Sequence, residues 1–168
     1  DQVNFKGEFF TVHDMSLGPK PFGNRSIPIW LGGNADAVLK RTGRFADGYI
    51  CSSSGMANFP AIWEKISHHA RAAGRDPSKI EKAGLNYLAI DEDRSRALRA
   101  AEAFFERYYG KAPNNIESQM IVGPAALCAE RIAKIFEQGL NTLVLGLIIP
   151  DLKQLDSLAL KILLQIQM

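Results

Sequence analysis

The chain has 168 residues, 46% of them hydrophobic, and a formal net charge of +2. That size and balance suit one globular domain able to bury a sizeable core. They argue against a nucleic-acid binder, because Lys and Arg are interspersed with Asp and Glu and never run together with aromatic residues. Cys51 and Cys128 stand far apart and make neither a disulfide framework nor a metal site. His13, His68 and His69 show no ligand spacing, so no metal is expected. Two lone thiols fit a reduced, cytoplasmic setting, and no apolar run is long enough to span a membrane.

The opening segment VNFKGEFFTV has strand composition with Gly7 in its middle, which predicts a short β-hairpin or extended arm. The chain enters this arm directly at Asp1, as though something upstream were missing. SLGPKPFGNRS is a surface loop, and Pro28 marks the start of a strand. From there the pattern is rhythmic. PIWL is a strand broken by Gly32-Gly33-Asn34, ADAVLKRTGR a short helix, and DGYIC a strand broken by SSSG. Ile62, Ile66, Ala70 and Ala73 share one helical face, which predicts a helix over 60–74 stopped by Gly74. RDPSKIEKA reads as loop and GLNYLAID as strand. Leu98, Ala101, Phe105 and Tyr108 form a stripe that predicts a helix over 93–109.

After the loop GKAPNN, the segment SQMIVG carries no decisive pattern. Cys128, Ile132, Ile135 and Phe136 mark a strong helix, closed by Gly139. NTLVLGL is the plainest strand of all. The end is an amphipathic helix with Leu155, Leu158, Ala159, Ile162, Leu163 and Ile166 on its apolar side.

The order is an arm and loop over 1–26, then four βα units over 27–168, in a single domain. Apolar strands alternating with helices imply an α/β fold with a parallel sheet covered by helices. A complete eight-unit barrel needs about 250 residues. Four units make either a small doubly wound sheet or half of a barrel, and spacing does not choose between them.

In both architectures ligands bind at the C-terminal ends of parallel strands. Gly32-Gly33-Asn34 and Cys51-Ser52-Ser53-Ser54-Gly55 sit at two such ends. Glycine lets backbone approach a ligand, and the helix beginning at Asn34–Val38 offers free N–H groups to an anion. Ser52 and Ser53 add hydroxyl donors. The alternative is a tight turn with Asn34 capping the helix. Neither a Walker loop nor a Rossmann glycine motif occurs.

Other notable residues have structural readings. Asp47 lies at a strand's N-terminal end, Lys40, Arg41 and Arg44 form a solvated helix face, and Trp30 belongs to the core. Cys51 either touches a ligand or packs as a small hydrophobe. Asp91, Glu92 and Asp93 open a helix, and Asp151 caps the last one. No Ser/His/Asp or Cys/His arrangement and no paired carboxylates mark a catalytic centre.

The segments VNFKGEFFTV, LGPKPFGNRSIPIWLGGN, GRFADGYI, AAGRDPSKI and GPAALCAERIAKIFEQGLNTLVLGL together resemble the bacterial luciferase-like monooxygenase superfamily. The resemblance implies a TIM-type (β/α)8 barrel of which this chain is the C-terminal half, strands five to eight, with the arm as an insertion before the fifth. It implies a flavin- or deazaflavin-dependent oxidoreductase or monooxygenase with FMN or a deazaflavin coenzyme of the F-420 type. Carried over residue by residue, it assigns cofactor binding to Gly32, Gly33, Asn34, Ala35, Ala37, Val38, Cys51 and Ser52. The segment DGYICSSS resembles deazaflavin-dependent sugar-phosphate dehydrogenases, whose loop has a lysine near the position of Gly55; that lysine is absent here. The usual catalytic residues lie in the other half, so none transfers. The expected partners are a small-molecule substrate and either a second copy or a missing N-terminal half. The alternatives are a truncated, self-associating half barrel and a small phosphate-ligand-binding α/β protein.

Overall fold

A computed structural model describes residues 2–166 of the chain. The arm is a hairpin of β1 (Val3–Lys6) and β2 (Thr11–Met15), paired antiparallel, with Phe9 and Phe10 exposed at its turn. The body follows as β3 (Trp30–Gly32), α1 (Asp36–Phe45), β4 (Gly48–Cys51), α2 (Phe59–Ala72), β5 (Glu81–Ile90), α3 (Arg94–Tyr109), β6 (Met120–Gly123), α4 (Ala125–Phe136), β7 (Thr142–Leu147) and α5 (Leu152–Ser157). α5 runs on into a wider, π-type turn, Leu158–Leu163.

The four predicted strands are present, and the unassigned SQMIVG supplies a fifth, β6, buried along its whole length. All five pair in parallel. β5 is longer than expected because Glu81–Ala83, read as loop, pair with β4, and Ala83 pairs with β7 as well. Its first four residues pair with β4 and its last four with β6, while β7 runs along Ala83–Leu88. Ala83 and Gly84 pair with both β4 and β7, and Tyr87 and Leu88 with both β6 and β7. β4 and β6 therefore share one edge of β5, and β7 holds the other. Where that edge passes from β4 to β6, Asn86 Oδ1 accepts the N–H of Tyr87 at 2.8 Å.

The sheet has two unlike faces. Leu31, Tyr49, Leu88, Ile90, Leu143 and Leu145 point to one side by the strand alternation. Most of them join Leu39 of α1, Ile62 and Ile66 of α2, and Ile132 and Ile135 of α4 in the main core. α1 and α2 pack without a gap, since a Cβ at Gly43 would lie 2.7 Å from backbone atoms of Ile66 and Ala70. Arg75, in the AAGRDPSKI motif, lays its guanidinium on the last carbonyls of α1, 2.8 Å from Gly43 O and 2.6 Å from Ala46 O.

The opposite face carries Trp30, Ile50, Leu85, Tyr87 and Val144. Only its C-terminal end is covered, where α3 sets Ala97, Ala101 and Phe105 on Ala89, Met120 and Val122. Trp30 is thus not core: it lies over Gly48 on the uncovered face of an edge strand and is 38% exposed. Asp47 is structural as expected, accepting the N–H of Ile29 at 2.8 Å. Asp93 and Asp151 cap α3 and α5 through Ser95 N and Lys153 N. Of the last helix's apolar side, Ile162 is buried and Leu158 and Ile166 half-buried, whereas Leu155, Ala159 and Leu163 face solvent. Its final two residues lie outside the described range. No helix among the described residues is long and apolar enough to cross a membrane.

Gln154 closes the sheet from α5. Its Oε1 accepts Ile90 N–H at 2.9 Å and its Nε2 donates to Ile90 O at 2.7 Å, both buried. The side chain takes the place a further β7 residue would fill. Gln154→Leu leaves two buried backbone groups without partners, so urea denaturation is expected to show a loss of about 2–5 kcal/mol.

Candidate functional site

β3 and β4 are neighbours in register, so the loops after them emerge side by side at the C-terminal end of the sheet. In the first, Gly33 has φ +121, a conformation that a side chain would strain. That turn lifts the chain from Gly32 into α1, whose N-cap is Ala35 and not Asn34. No side chain caps α1, so the N–H groups of its first turn, around Asp36 and Ala37, face outward without intrahelical partners. Ala35 and Ala37 are exposed and Val38 half-buried, which leaves the approach to these donors clear of bulk.

Asn34 has another task. Tyr49, on β4, brings its hydroxyl 3.1 Å from Asn34 Oδ1 and 3.3 Å from Gly33 O, both acceptors. Burial raises the Tyr49 hydroxyl above its ordinary pKa, so it stays a neutral donor. The Asn34 amide also lies over Gly55, where a Cβ would approach to 2.9 Å. One side chain thus fixes the first loop against both the strand and the loop of its neighbour. The capping role expected for Asn34 gives way to this contact because Gly33 turns the residue toward β4.

In the second loop Ser52 and Ser54 hydroxyls lie 3.1 Å apart, and Gly55 N–H closes a turn on Ser52 O at 2.9 Å. Ser52 and Ser53 are half-buried and Ser54 exposed. Cys51 is fully buried in the main core, and desolvation pushes its thiol up to about 11. Its side chain therefore packs; what it offers a ligand is backbone. The structure brings Gly32, Gly33, Asn34, Ala35, Ala37, Val38 and Ser52 to one rim, with Cys51 beneath it.

The rim presents hydrogen-bond donors. Its donors are backbone N–H groups at a helix N-terminus and serine hydroxyls, the set that suits phosphate oxygens. The one opposing charge, Asp36 in the first turn, is held by Lys65 at 2.7 Å. The residues present therefore fit the phosphate of FMN or a deazaflavin coenzyme.

A cleft of about 520 Å³ adjoins the rim on the partly covered face, between the serine loop and the end of α3. Phe105, Tyr109, Lys111, Pro113 and Gln119 form its other wall. Tyr109 is held by a hydrogen bond of 2.7 Å between its hydroxyl and that of Tyr87. Sequence reasoning missed Tyr49 and this wall. Tyr49 was traceable as the inward-facing residue just below a strand end. Nothing local marked Lys111, because only the return of α3 across the sheet brings it to the serines.

A family model described as luciferase-like monooxygenase matches residues 1–142. A 5,10-methylenetetrahydromethanopterin reductase of Methanopyrus kandleri is 24% identical over 94% of this chain and 44% of its own length. The solved coenzyme F420-dependent tetrahydromethanopterin reductase from that organism superposes with TM-score 0.74 at 19% identity, covering 98% of this chain and 58% of the other. An F420-dependent glucose-6-phosphate dehydrogenase of Kineococcus radiotolerans is 33% identical over 58% of this chain and 29% of its own length. The oxygenating constituent of 3,6-diketocamphane monooxygenase from Pseudomonas putida, solved in complex with FMN, superposes with TM-score 0.70 at 17% identity over 100% of this chain and 59% of that one. The two superpositions speak to the fold, that of a partial barrel. The chain spans less than half the length of the two relatives matched by sequence.

Two measurements check the site's construction. Tyr49→Phe removes the donor shared by Gly33 O and Asn34 Oδ1, and is expected to cost about 1–2 kcal/mol in urea denaturation. Cys51 and Cys128 are both buried with thiols pushed up to about 11 by desolvation, so they stay protonated at pH 8. A thiol-reactive dye should therefore label neither quickly in the native protein and both after unfolding.

Proposed function

The chain belongs to the luciferase-like monooxygenase family, and from that membership we propose that it is the cofactor-phosphate half of a flavin- or deazaflavin-dependent oxidoreductase. The observation that carries the reading is the uncapped N-terminus of α1, presented by Gly33 at φ +121 beside the Ser52 loop. The first-turn N–H groups would take the phosphate oxygens, and the Ser52 hydroxyl would add a donor from the neighbouring loop. Gly32 and Gly33 keep side chains out of the path of the ribityl chain. The bound cofactor would supply the redox chemistry, exchanging a hydride or activating oxygen. This chain's own residues bind, orient and exclude water; the catalytic residues belong to the other half of the barrel.

Several features support a complementary half, either further βα units of the same protein or a second copy. β3 is an edge strand with Trp30 exposed and Ile27 and Ile29 exposed just before it, and Val144 of β7 is exposed on the same uncovered face as Trp30. Unpaired parallel strands with an apolar uncovered face do not persist alone in water. Homo-oligomerisation is the second reading that these edges favour. A small-molecule substrate fits the cleft beside the cradle, and the two buried thiols suit the cytoplasm.

The test is titration of the full-length protein with FMN and with a deazaflavin coenzyme, followed by fluorescence. Gly33→Val is expected to weaken binding of the preferred cofactor at least about tenfold, through strain of 1–3 kcal/mol and lost access. Ser52→Ala removes one hydrogen bond, for an expected loss of about threefold to tenfold. Wild-type affinity in a folded Gly33→Val protein would sink the cradle.

A further inference from the structure

The cleft beside the cradle has one formal charge in its wall. Lys111 follows directly after the end of α3 and Gly110, and no carboxylate lines the cleft with it. None of the ion pairs among the described residues involves Lys111. Three serines, at residues 52–54, and Gln119 line the cleft with it and add polar groups. The rest of the wall is apolar. Tyr109 shows half of its surface, and its ring is steadied at an angle by Phe105 and Tyr87, with centroids 5.5 Å and 6.5 Å away. The Tyr87 phenol, pushed up to about 12 by burial above all, stays neutral and adds no negative charge. The volume, about 520 Å³, lies in the range of small-molecule sites.

A lone cation opposite clustered hydroxyls selects an anion. An aromatic and proline wall selects an apolar body attached to it. The geometry points to a substrate that is an anionic amphiphile, a small carboxylate or phosphate ester. Its acidic group lies between Lys111 and the serine loop, and its apolar part lies on Tyr109 and Pro113. The loop itself has no lysine, and Lys111 supplies the charge from a different element across the sheet. The assignment rests on the cofactor reading only in placing the reaction next to this cleft.

The test is calorimetric titration of the full-length protein with phenyl phosphate, with benzyl alcohol as the neutral counterpart, and with FMN measured separately. Saturable binding of phenyl phosphate is expected, with benzyl alcohol failing to displace it. Lys111→Gln should weaken phenyl phosphate about tenfold or more, the loss of one charged hydrogen bond, and Lys111→Arg should restore most of it. Tyr109→Ala should weaken it as well, while FMN affinity stays unchanged in all three variants. Equal binding to wild type and Lys111→Gln overturns the proposal. So does loss of phenyl phosphate binding in Gly33→Val but not in Lys111→Gln, which would put the anion in the cradle. If neither FMN nor a deazaflavin coenzyme binds while Lys111→Gln still weakens phenyl phosphate binding, the cofactor reading falls and the anion site stands.

Discussion

The structure hangs on β5 and on the need to pair every peptide group of a ten-residue buried strand. No single neighbour does this. β4 pairs with its first four residues, β6 with its last four, and β7 runs along the other edge. Two side chains finish the task. Asn86 serves the gap between β4 and β6, and Gln154 serves the end that β7 does not reach. Each solution has a functional consequence. β4 on the lower half sets the serine loop beside the glycine loop. β6 on the upper half forces the chain to return from α3, and that return carries Tyr109 and Lys111 over the uncovered face.

The cradle is stiff for a reason that lies below it. Loops of Gly, Ser and Ala have little to hold them, yet this one has Asn34 and Tyr49 beneath its turn. The tyrosine hydroxyl is buried, so leaving its partners unmet would cost more than a surface hydrogen bond is worth. Its two acceptors belong to consecutive residues of the glycine loop. The loop can therefore present bare N–H groups outward while its other side is anchored. An anion-binding rim needs both conditions, because donors that relax toward internal partners are lost to a ligand.

The two faces of the sheet differ in kind. One is closed by four helices around a dense core; the other is apolar, covered only at one end and bounded by an exposed edge strand. Parallel sheets are found with both faces covered. The face with Trp30, Ile50, Leu85 and Val144 on it lacks that cover, and the chain spans less than half the length of the two relatives matched by sequence.

Much of this was legible in the residues themselves. The 3.6-residue spacing in α2, α3 and α4 and the helix-stopping Gly74 and Gly139 are local physics, and the helices lie where that physics puts them. The two soft strand ends were also visible, because glycine and serine after an apolar run have few other uses. What stayed hidden depends on partners distant in the chain. SQMIVG is too short to show a period, and it is a strand only because half an edge of β5 is vacant for it. Glu81 and Lys82 look like loop until β4 pairs with them. Trp30 looks like core, and only the tertiary structure places it on the uncovered face. Asn34 looks like a cap until Gly33 turns it onto Tyr49. The sequence alone determined where the helices and four of the five sheet strands fall, since those follow from neighbours a few residues apart. Only the tertiary structure decided what anchors the glycine loop and that Lys111 shares a cleft with the serines, since those meetings join residues 15 and about 60 positions apart, and no local pattern encodes them.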